Sequence, residues 1–313
     1  MKLAALLGPW RLWAPITYFA IVSAAHLEFS LWLVAWRPSA FGSYSFSQAV
    51  PALAAASLVA LACWAVSGMR RSREGLREAF AWAAWFATVW LADRFLTYSI
   101  NEMAHYPEYA LLAILIARAI DPARTAQPSG RILFWTSLLG AIDELVQYVW
   151  LTPGYGNYYD FNDCLANLVG AALGVLIYYR AAPPGDVRDR GHGFARRETL
   201  AAVALLVAVA IGVGAGRLQL TPATEVPPGG LLRDGDGQLN FYLQRTAGQY
   251  DAHHPGQRHG EYYALGPASG LALMFVAGSL FQALACRRKR HAVTGWPRPA
   301  GAKNSVGSMD PRG

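Results

Sequence analysis

Residues 199–216 read TLAAVALLVAVAIGVGAG and contain no charged side chain. An α-helix of this length nearly crosses a hydrocarbon core about 30 Å thick, because each helical residue adds about 1.5 Å. Comparable apolar blocks, separated by short Arg-rich segments, recur along the 313 residues. Only 15% of the residues are charged and 54% are apolar, whereas an average soluble domain has about 25% charged residues. The sequence therefore predicts a polytopic membrane protein and argues against a soluble or disordered chain.

Eight blocks are long enough to span a bilayer, which predicts an all-α membrane helix bundle of about eight transmembrane helices. These blocks run over residues 12–36, 50–68, 79–96, 103–120, 132–151, 163–179, 199–216 and 267–285. We expect an N-terminal helix pair in 1–78, a four-helix core in 79–180, a C-terminal helix pair in 181–286 and a basic disordered tail in 287–313. The outer loop at 217–266 is expected to form a small cap with one or two short strands.

The Lys and Arg residues are distributed unevenly between the two predicted sides. If the N-terminus is cytoplasmic, 21 of the 27 basic residues fall in inner segments, five fall in outer segments and Arg94 lies near an outer helix end. Membrane orientation follows this bias, so we predict that both termini are cytoplasmic. The net charge of +7 then belongs mainly to the inner face, where membrane lipids are the expected partners. We predict no nucleic-acid partner.

Polar residues at the outer ends of the third to sixth blocks predict a functional site. Ionisable side chains are costly inside a bilayer, and here they fall at one depth on four consecutive helices. Within each helix they are spaced by three or four residues, which places them on one face. The candidate site residues are Arg94, His105, Glu108, Tyr109, Glu144, Gln147, Asp160, Asp163 and Asn167, with Asp93, Glu102 and Asp143 at the same depth.

The order of these residues resembles a known family. The patterns H-x-x-x-Y from His105, E-x-x-Q from Glu144 and D-x-x-D-x-x-x-N-x-x-G-x-x-x-G from Asp160 are similar to the VanZ-like family of bacterial integral membrane proteins. The likeness covers residues 79–180, roughly a third of the chain. It implies a multi-pass protein of the bacterial inner membrane, with these candidates at the family's signature positions. The family takes its name from a member associated with resistance to the glycopeptide teicoplanin.

The chain also departs from that family. Asn101 and Glu102 stand where many members have an Asp-Lys pair, and Asn157 stands where many have Arg. Two basic groups that would bind an anionic head group are thus missing, and Arg94 is the expected partial substitute.

The residue types suit proton exchange and hydrogen bonding. His105 changes charge near neutral pH and forms the expected proton-exchanging pair with Glu144, while Asp163 is the third catalytic candidate. No nucleophile is paired with them, so the sequence leaves open whether a reaction is catalysed. The other candidates are expected to bind the ligand: Asp160 as a hydrogen-bond acceptor, Gln147 and Asn167 as orienting amides, Tyr109 as a hydroxyl or stacking face, and Glu108 and Arg94 as charged neighbours.

These features predict a site that binds or processes an amphiphilic envelope component, such as a lipid-linked precursor or a glycopeptide. A role in glycopeptide resistance follows from the resemblance alone. We predict no cofactor and no bound metal, although one His with several carboxylates would suit a hard divalent cation. Two alternatives stay open: a proton-coupled transporter that uses the same carboxylates, and an assembly protein in which the polar residues only join helices.

Overall fold

The computed structural model describes residues 10–36, 46–69, 75–151, 156–180 and 196–285. This part of the chain is mostly helical and contains eight α-helices. They are α1 (Trp10–Ala35), α2 (Phe46–Met69), α3 (Gly75–Phe95), α4 (His105–Ile120), α5 (Ser129–Val146), α6 (Phe161–Arg180), α7 (Arg196–Gly214) and α8 (Pro267–Ala285). Each predicted apolar block coincides with one of these helices. The predicted tail at 287–313 lies outside the described residues.

Five segments of these helices are long and apolar enough to cross a membrane. They are Gln48–Ser67, Ser129–Leu151, Phe161–Arg180, Arg196–Gly214 and Pro267–Ala285. Their length and hydropathy indicate a membrane protein. The total of eight spans and the side on which each end lies stay predictions.

Helix α6 is the centre of the bundle and is buried along most of its length. It packs against α3, α4, α5 and α8. The α4 backbone approaches closely at Gly170, where an added Cβ would lie 2.8 Å from the His105 carbonyl oxygen. Trp85 of α3 donates its indole N–H to the Val169 carbonyl of α6 at 3.0 Å. These contacts hold α3, α4 and α6 side by side, which positions the predicted site residues.

The start of α4 and the end of α5 are shaped by short irregular turns. A 3-10 helix over Ile100–Ala104 precedes α4, and Glu102 in it accepts hydrogen bonds from the backbone N–H groups of Tyr98 and Ser99, at 2.8 and 3.1 Å. The Glu102 carboxylate thereby satisfies the N–H group of Ser99, the residue that caps the start of this helix. At the end of α5 a π-helical turn over Gln147–Leu151 continues the chain outward.

The outer loop forms five short strands, more than the one or two predicted. Strands β1 (Leu218–Gln219), β2 (Leu231–Arg233) and β3 (Leu239–Tyr242) make a sheet in the order β1-β3-β2. Strands β4 (Ala252–Gly256) and β5 (Gly260–Ala264) make an antiparallel hairpin in which His254 faces Tyr262. Between β2 and β3, Asp234 accepts the backbone N–H groups of Asp236 and Gln238 and closes a tight turn. The loop therefore folds as two small sheets.

The two sheets are held on the helix bundle by hydrogen bonds, as expected for a cap. The Tyr148 hydroxyl donates to the Tyr242 carbonyl at 3.0 Å, and the Tyr250 hydroxyl donates to the Tyr159 carbonyl at 2.8 Å. Both bonds join the cap to the segment between α5 and α6. The cap thus lies at the end of the bundle where α5 finishes and α6 begins, beside the predicted polar residues.

Candidate functional site

Three predicted site residues converge from three helices. His105 is the first residue of α4, Glu144 lies in the last turn of α5, and Asp163 lies in the first turn of α6. One ligand atom of each lies within 4.8 Å of the other two, and His105 Nε2 is 3.5 Å from Asp163 Oδ2. His105 and Glu144 are only 3% and 4% exposed, whereas the Asp163 side chain is 17% exposed. The arrangement is a buried imidazole–carboxylate group that is accessible at Asp163.

Glu144 and its neighbour Asp143 are held by side chains from α4, the π-helical turn and α6. Asn167 Nδ2 donates to Glu144 Oε1 at 3.1 Å. The Tyr109 hydroxyl and the Gln147 amide both donate to Asp143 Oδ2, at 2.8 and 3.0 Å. Tyr109 and Gln147, both predicted to bind ligand, therefore contact Asp143.

Acidic groups just outside the helices surround the mouth of this site. Asp160 caps the start of α6, where its Oδ1 accepts the backbone N–H groups of Asn162 and Asp163 at 2.8 and 3.2 Å. Burial, with the added charge of Asp163, raises the pKa of Asp160 to about 7. Burial and the charges of Asp163 and Asp160 also raise the pKa of Glu102 well above its ordinary value. Near neutral pH Asp160 is therefore partly protonated, which offsets part of the negative charge at the mouth.

A small crevice leads to Asp163 between the end of α3 and the starts of α4 and α6. Its walls combine carboxylates and hydroxyls with apolar side chains. The lining residues are Ala92, Leu96, Thr97, Glu102, Tyr106, Asn162, Asp163 and Ala166. This mixture of surfaces matches a ligand with a polar end and an apolar end.

Asn162 holds the site and the cap together, and the sequence analysis did not select it. Its Nδ2 donates to the carbonyls of Leu96 and Tyr263, each at 2.8 Å. Its Oδ1 accepts the backbone N–H of Leu265 at 2.9 Å. One buried amide thus joins α6 to the end of α3 and to the strand β5. An amide between two acids at a helix start is the only sequence signal that would have suggested it.

The hairpin of the cap is anchored beside the crevice by charged groups. Arg258 donates to both carboxylate oxygens of Asp93, at 2.9 and 3.3 Å, and its backbone N–H donates to the Tyr98 carbonyl at 2.9 Å. His259 Nε2 lies 3.2 Å from Asp93 Oδ2. The carboxylate of Asp93 is therefore neutralised by the cap and is not available to a ligand.

Two further predicted residues lie to the side of the converging group. Arg94 is exposed, and its guanidinium carbon lies 5.5 Å from the centre of the Phe95 ring. Glu108 is partly buried on the side of α4 that meets α1, where its carbonyl accepts the Tyr18 hydroxyl at 3.1 Å. The position of Arg94 does not supply a positive charge to the crevice.

The group as a whole has an excess of acids. It contains one imidazole, that of His105, and five carboxylates, and within the described part of the chain no Lys or Arg forms an ion pair with any of the five. The carboxylates belong to Glu102, Asp143, Glu144, Asp160 and Asp163. Bound protons, a hydrogen-bond donor on a ligand or a cation would each compensate such a group. By distance alone His105, Glu144 and Asp163 could also hold a metal ion, and the expectation of no metal stays a prediction.

Comparison with known proteins adds no relative from which a function could be transferred. No protein-family model matches the chain, no curated protein matches it, and no solved structure matches it.

Proposed function

We propose that the chain is a multi-pass protein of the bacterial inner membrane whose outward-facing polar site binds or processes an amphiphilic component of the cell envelope. We also propose that residues 79–180 form a VanZ-like core, because their motifs resemble those of that family. The observation that carries it is the convergence of His105, Glu144 and Asp163 within 4.8 Å beside a crevice with polar and apolar walls. Burying these groups costs free energy, and helix–helix hydrogen bonds in membranes return only about 1 kcal/mol each. A functional reason to keep them is therefore favoured.

The chemistry of the crevice limits the part of the ligand that would enter it. Carboxylates such as Glu102 and Asp163 accept hydrogen bonds, so a head group with hydroxyl or ammonium donors would be held there. Leu96 and Ala166 line the same crevice and would contact the apolar part of the molecule. Lipid-linked precursors and glycopeptides both combine such groups with an apolar portion.

In this proposal His105 and Glu144 exchange a proton with the bound head group. His105 already lies 3.5 Å from Asp163, which would orient the imidazole toward a ligand at the mouth of the crevice. Asn167 holds Glu144, and Tyr109 with Gln147 holds the adjacent Asp143. These three residues therefore position the acids, while Asp160 and Asp163 accept hydrogen bonds from the ligand.

Conservative amide substitutions test the proposal. Glu144→Gln keeps the oxygen that accepts the Asn167 amide, and Asp163→Asn keeps the size of the side chain, so both variants should fold. Glu261→Gln is the control, because Glu261 is exposed on the cap. The full chain and each variant are expressed in a teicoplanin-sensitive bacterium, and the membrane level and the minimal inhibitory concentration are measured. In parallel, lipids that purify with each protein are identified by mass spectrometry.

We expect the wild type and Glu261→Gln to raise the inhibitory concentration and to retain an envelope lipid, and both site variants to lose these properties at equal protein level. A wild-type protein that retains an envelope lipid without changing teicoplanin sensitivity would remove glycopeptide resistance from the proposal. Equal lipid retention by all four proteins would contradict a ligand site and favour an assembly role.

A further inference from the structure

A second recess lies at the opposite end of α6 from the polar site, between the inner ends of α3, α6 and α8. The recess is partly open to its surroundings. One part of its wall is apolar and includes Trp82, Val175 and Leu284. The other part carries the charged side chains of Arg77, Glu78 and Arg180 together with Tyr179. The recess thus combines a charged rim with an apolar wall at a helix end.

The charge of Arg180 is already compensated within the protein. Arg180 is the last residue of α6, and its guanidinium donates to the carboxylate of Glu78. It also donates to the Trp64 carbonyl at 2.6 Å and lies 4.3 Å from the centre of the Trp64 ring. Stacking and two hydrogen-bond partners fix its position at the rim.

The charge of Arg77 has no such compensation. Its guanidinium donates to the Ala283 carbonyl in the last turn of α8, and none of the ion pairs between described residues includes Arg77. A guanidinium has five N–H donors in a planar fork, so further donors remain for an anion. The recess therefore has two positive groups against one carboxylate. In sequence, the segments directly before α3 and after α8 are also Arg-rich.

We propose that this recess binds the anionic head group of a membrane phospholipid such as phosphatidylglycerol. The phosphate oxygens would accept hydrogen bonds from Arg77, because a guanidinium fork matches phosphate geometry. Leu176 and Leu284, which line the recess and are partly exposed, would contact the glycerol and the first part of an acyl chain. A free phosphate has no apolar part to make these contacts. The recess lies on the predicted cytoplasmic side, where anionic lipids attract basic groups between helices. This site is separate from the outer polar site and does not depend on the proposed function.

Lipid binding to the purified full-length protein in detergent tests this inference. The probe is fluorescent phosphatidylglycerol, compared with phosphatidylethanolamine carrying the same acyl chains and with inorganic phosphate as a competitor. The test variant is Arg77→Gln. The matched control is Arg118→Gln, which removes the same charge from an exposed position in the last turn of α4, on the same predicted side. Melting temperatures without added lipid check that the variants fold.

We expect Arg77→Gln to weaken phosphatidylglycerol binding about tenfold, as for one charge-assisted hydrogen bond, and Arg118→Gln to change it less than about twofold. We also expect weaker binding of phosphatidylethanolamine and no displacement by millimolar phosphate. Equal losses in both variants, equal binding of both lipids, or full displacement by phosphate would overturn the proposal. If Arg77→Gln does not fold, the wild-type preference between the two lipids decides, since no preference would contradict an anionic-lipid site.

Discussion

Asn162 should be the residue on which the attachment of the cap depends most. Asn162→Ala removes two hydrogen bonds to the carbonyls of Leu96 and Tyr263 and one from the N–H of Leu265. A hydrogen bond contributes about 0.5–1.5 kcal/mol net, and partners that stay buried without a replacement cost more. The three together correspond to about 3 kcal/mol of the free energy of unfolding. For a domain of this size we expect a melting temperature about 5–10 °C lower.

Thermal unfolding of the purified protein in detergent, followed by tryptophan fluorescence, measures this shift. Asn157→Ala is the matched control, because Asn157 is exposed and the one side-chain hydrogen bond it makes with a described residue is a long one of 3.5 Å from Arg245. We expect the control to change stability by less than about 0.5 kcal/mol. Hydrogen exchange should also show a faster-exchanging Leu265 amide in Asn162→Ala. Equal melting temperatures for the two variants would refute the reasoning.

Two further predictions concern the helix contact and the acids at the site. Gly170→Ala should destabilise the protein by about 1–3 kcal/mol, because the added Cβ would lie 2.8 Å from the His105 carbonyl. Gly214→Ala should not destabilise the protein, because a Cβ added at Gly214 would have no neighbouring atom within 4 Å. Similar melting temperatures for the two variants would argue against the close packing at Gly170. Burial raises the pKa of Asp160 to about 7, whereas an unfolded aspartate titrates near 3.9. The folded state then binds more protons than the unfolded state between about pH 4 and 7, so stability should fall as pH rises through this range. Asp160→Asn should make the decrease in melting temperature between pH 5 and 8 shallower, and an unchanged slope would contradict the assignment.

The helices could be predicted from sequence because their signal is local. An uninterrupted apolar block is sufficient to identify a long helix, and each of the eight predicted blocks coincides with one in the described part of the chain. The shared depth of His105, Glu144 and Asp163 also follows from their distance to the helix ends. The sequence does not give the rotation of each helix about its axis. The structure shows this rotation, and it brings the three side chains together.

The contacts of the cap could not be predicted in the same way. Asn162 bonds to Tyr263, and Arg258 bonds to Asp93, across separations of 101 and 165 residues. Such pairs leave no periodic pattern in the sequence, since either partner alone is an ordinary polar residue. The number of short strands in the cap was underestimated for a related reason. Gly-rich segments between the strands weaken the alternation of apolar and polar residues that identifies a strand.

The central claim would be tested most directly by cryo-electron microscopy of the wild-type protein. The protein would be kept in nanodiscs that are formed directly from native bacterial membranes. The account predicts that the band of lipid density places His105, Glu144 and Asp163 together in the extracytoplasmic half of the bilayer. It also predicts an elongated density whose polar end lies within hydrogen-bond distance of Asp163. An empty crevice, with Glu144 and Asp163 in opposite leaflets or facing acyl chains separately, would contradict it.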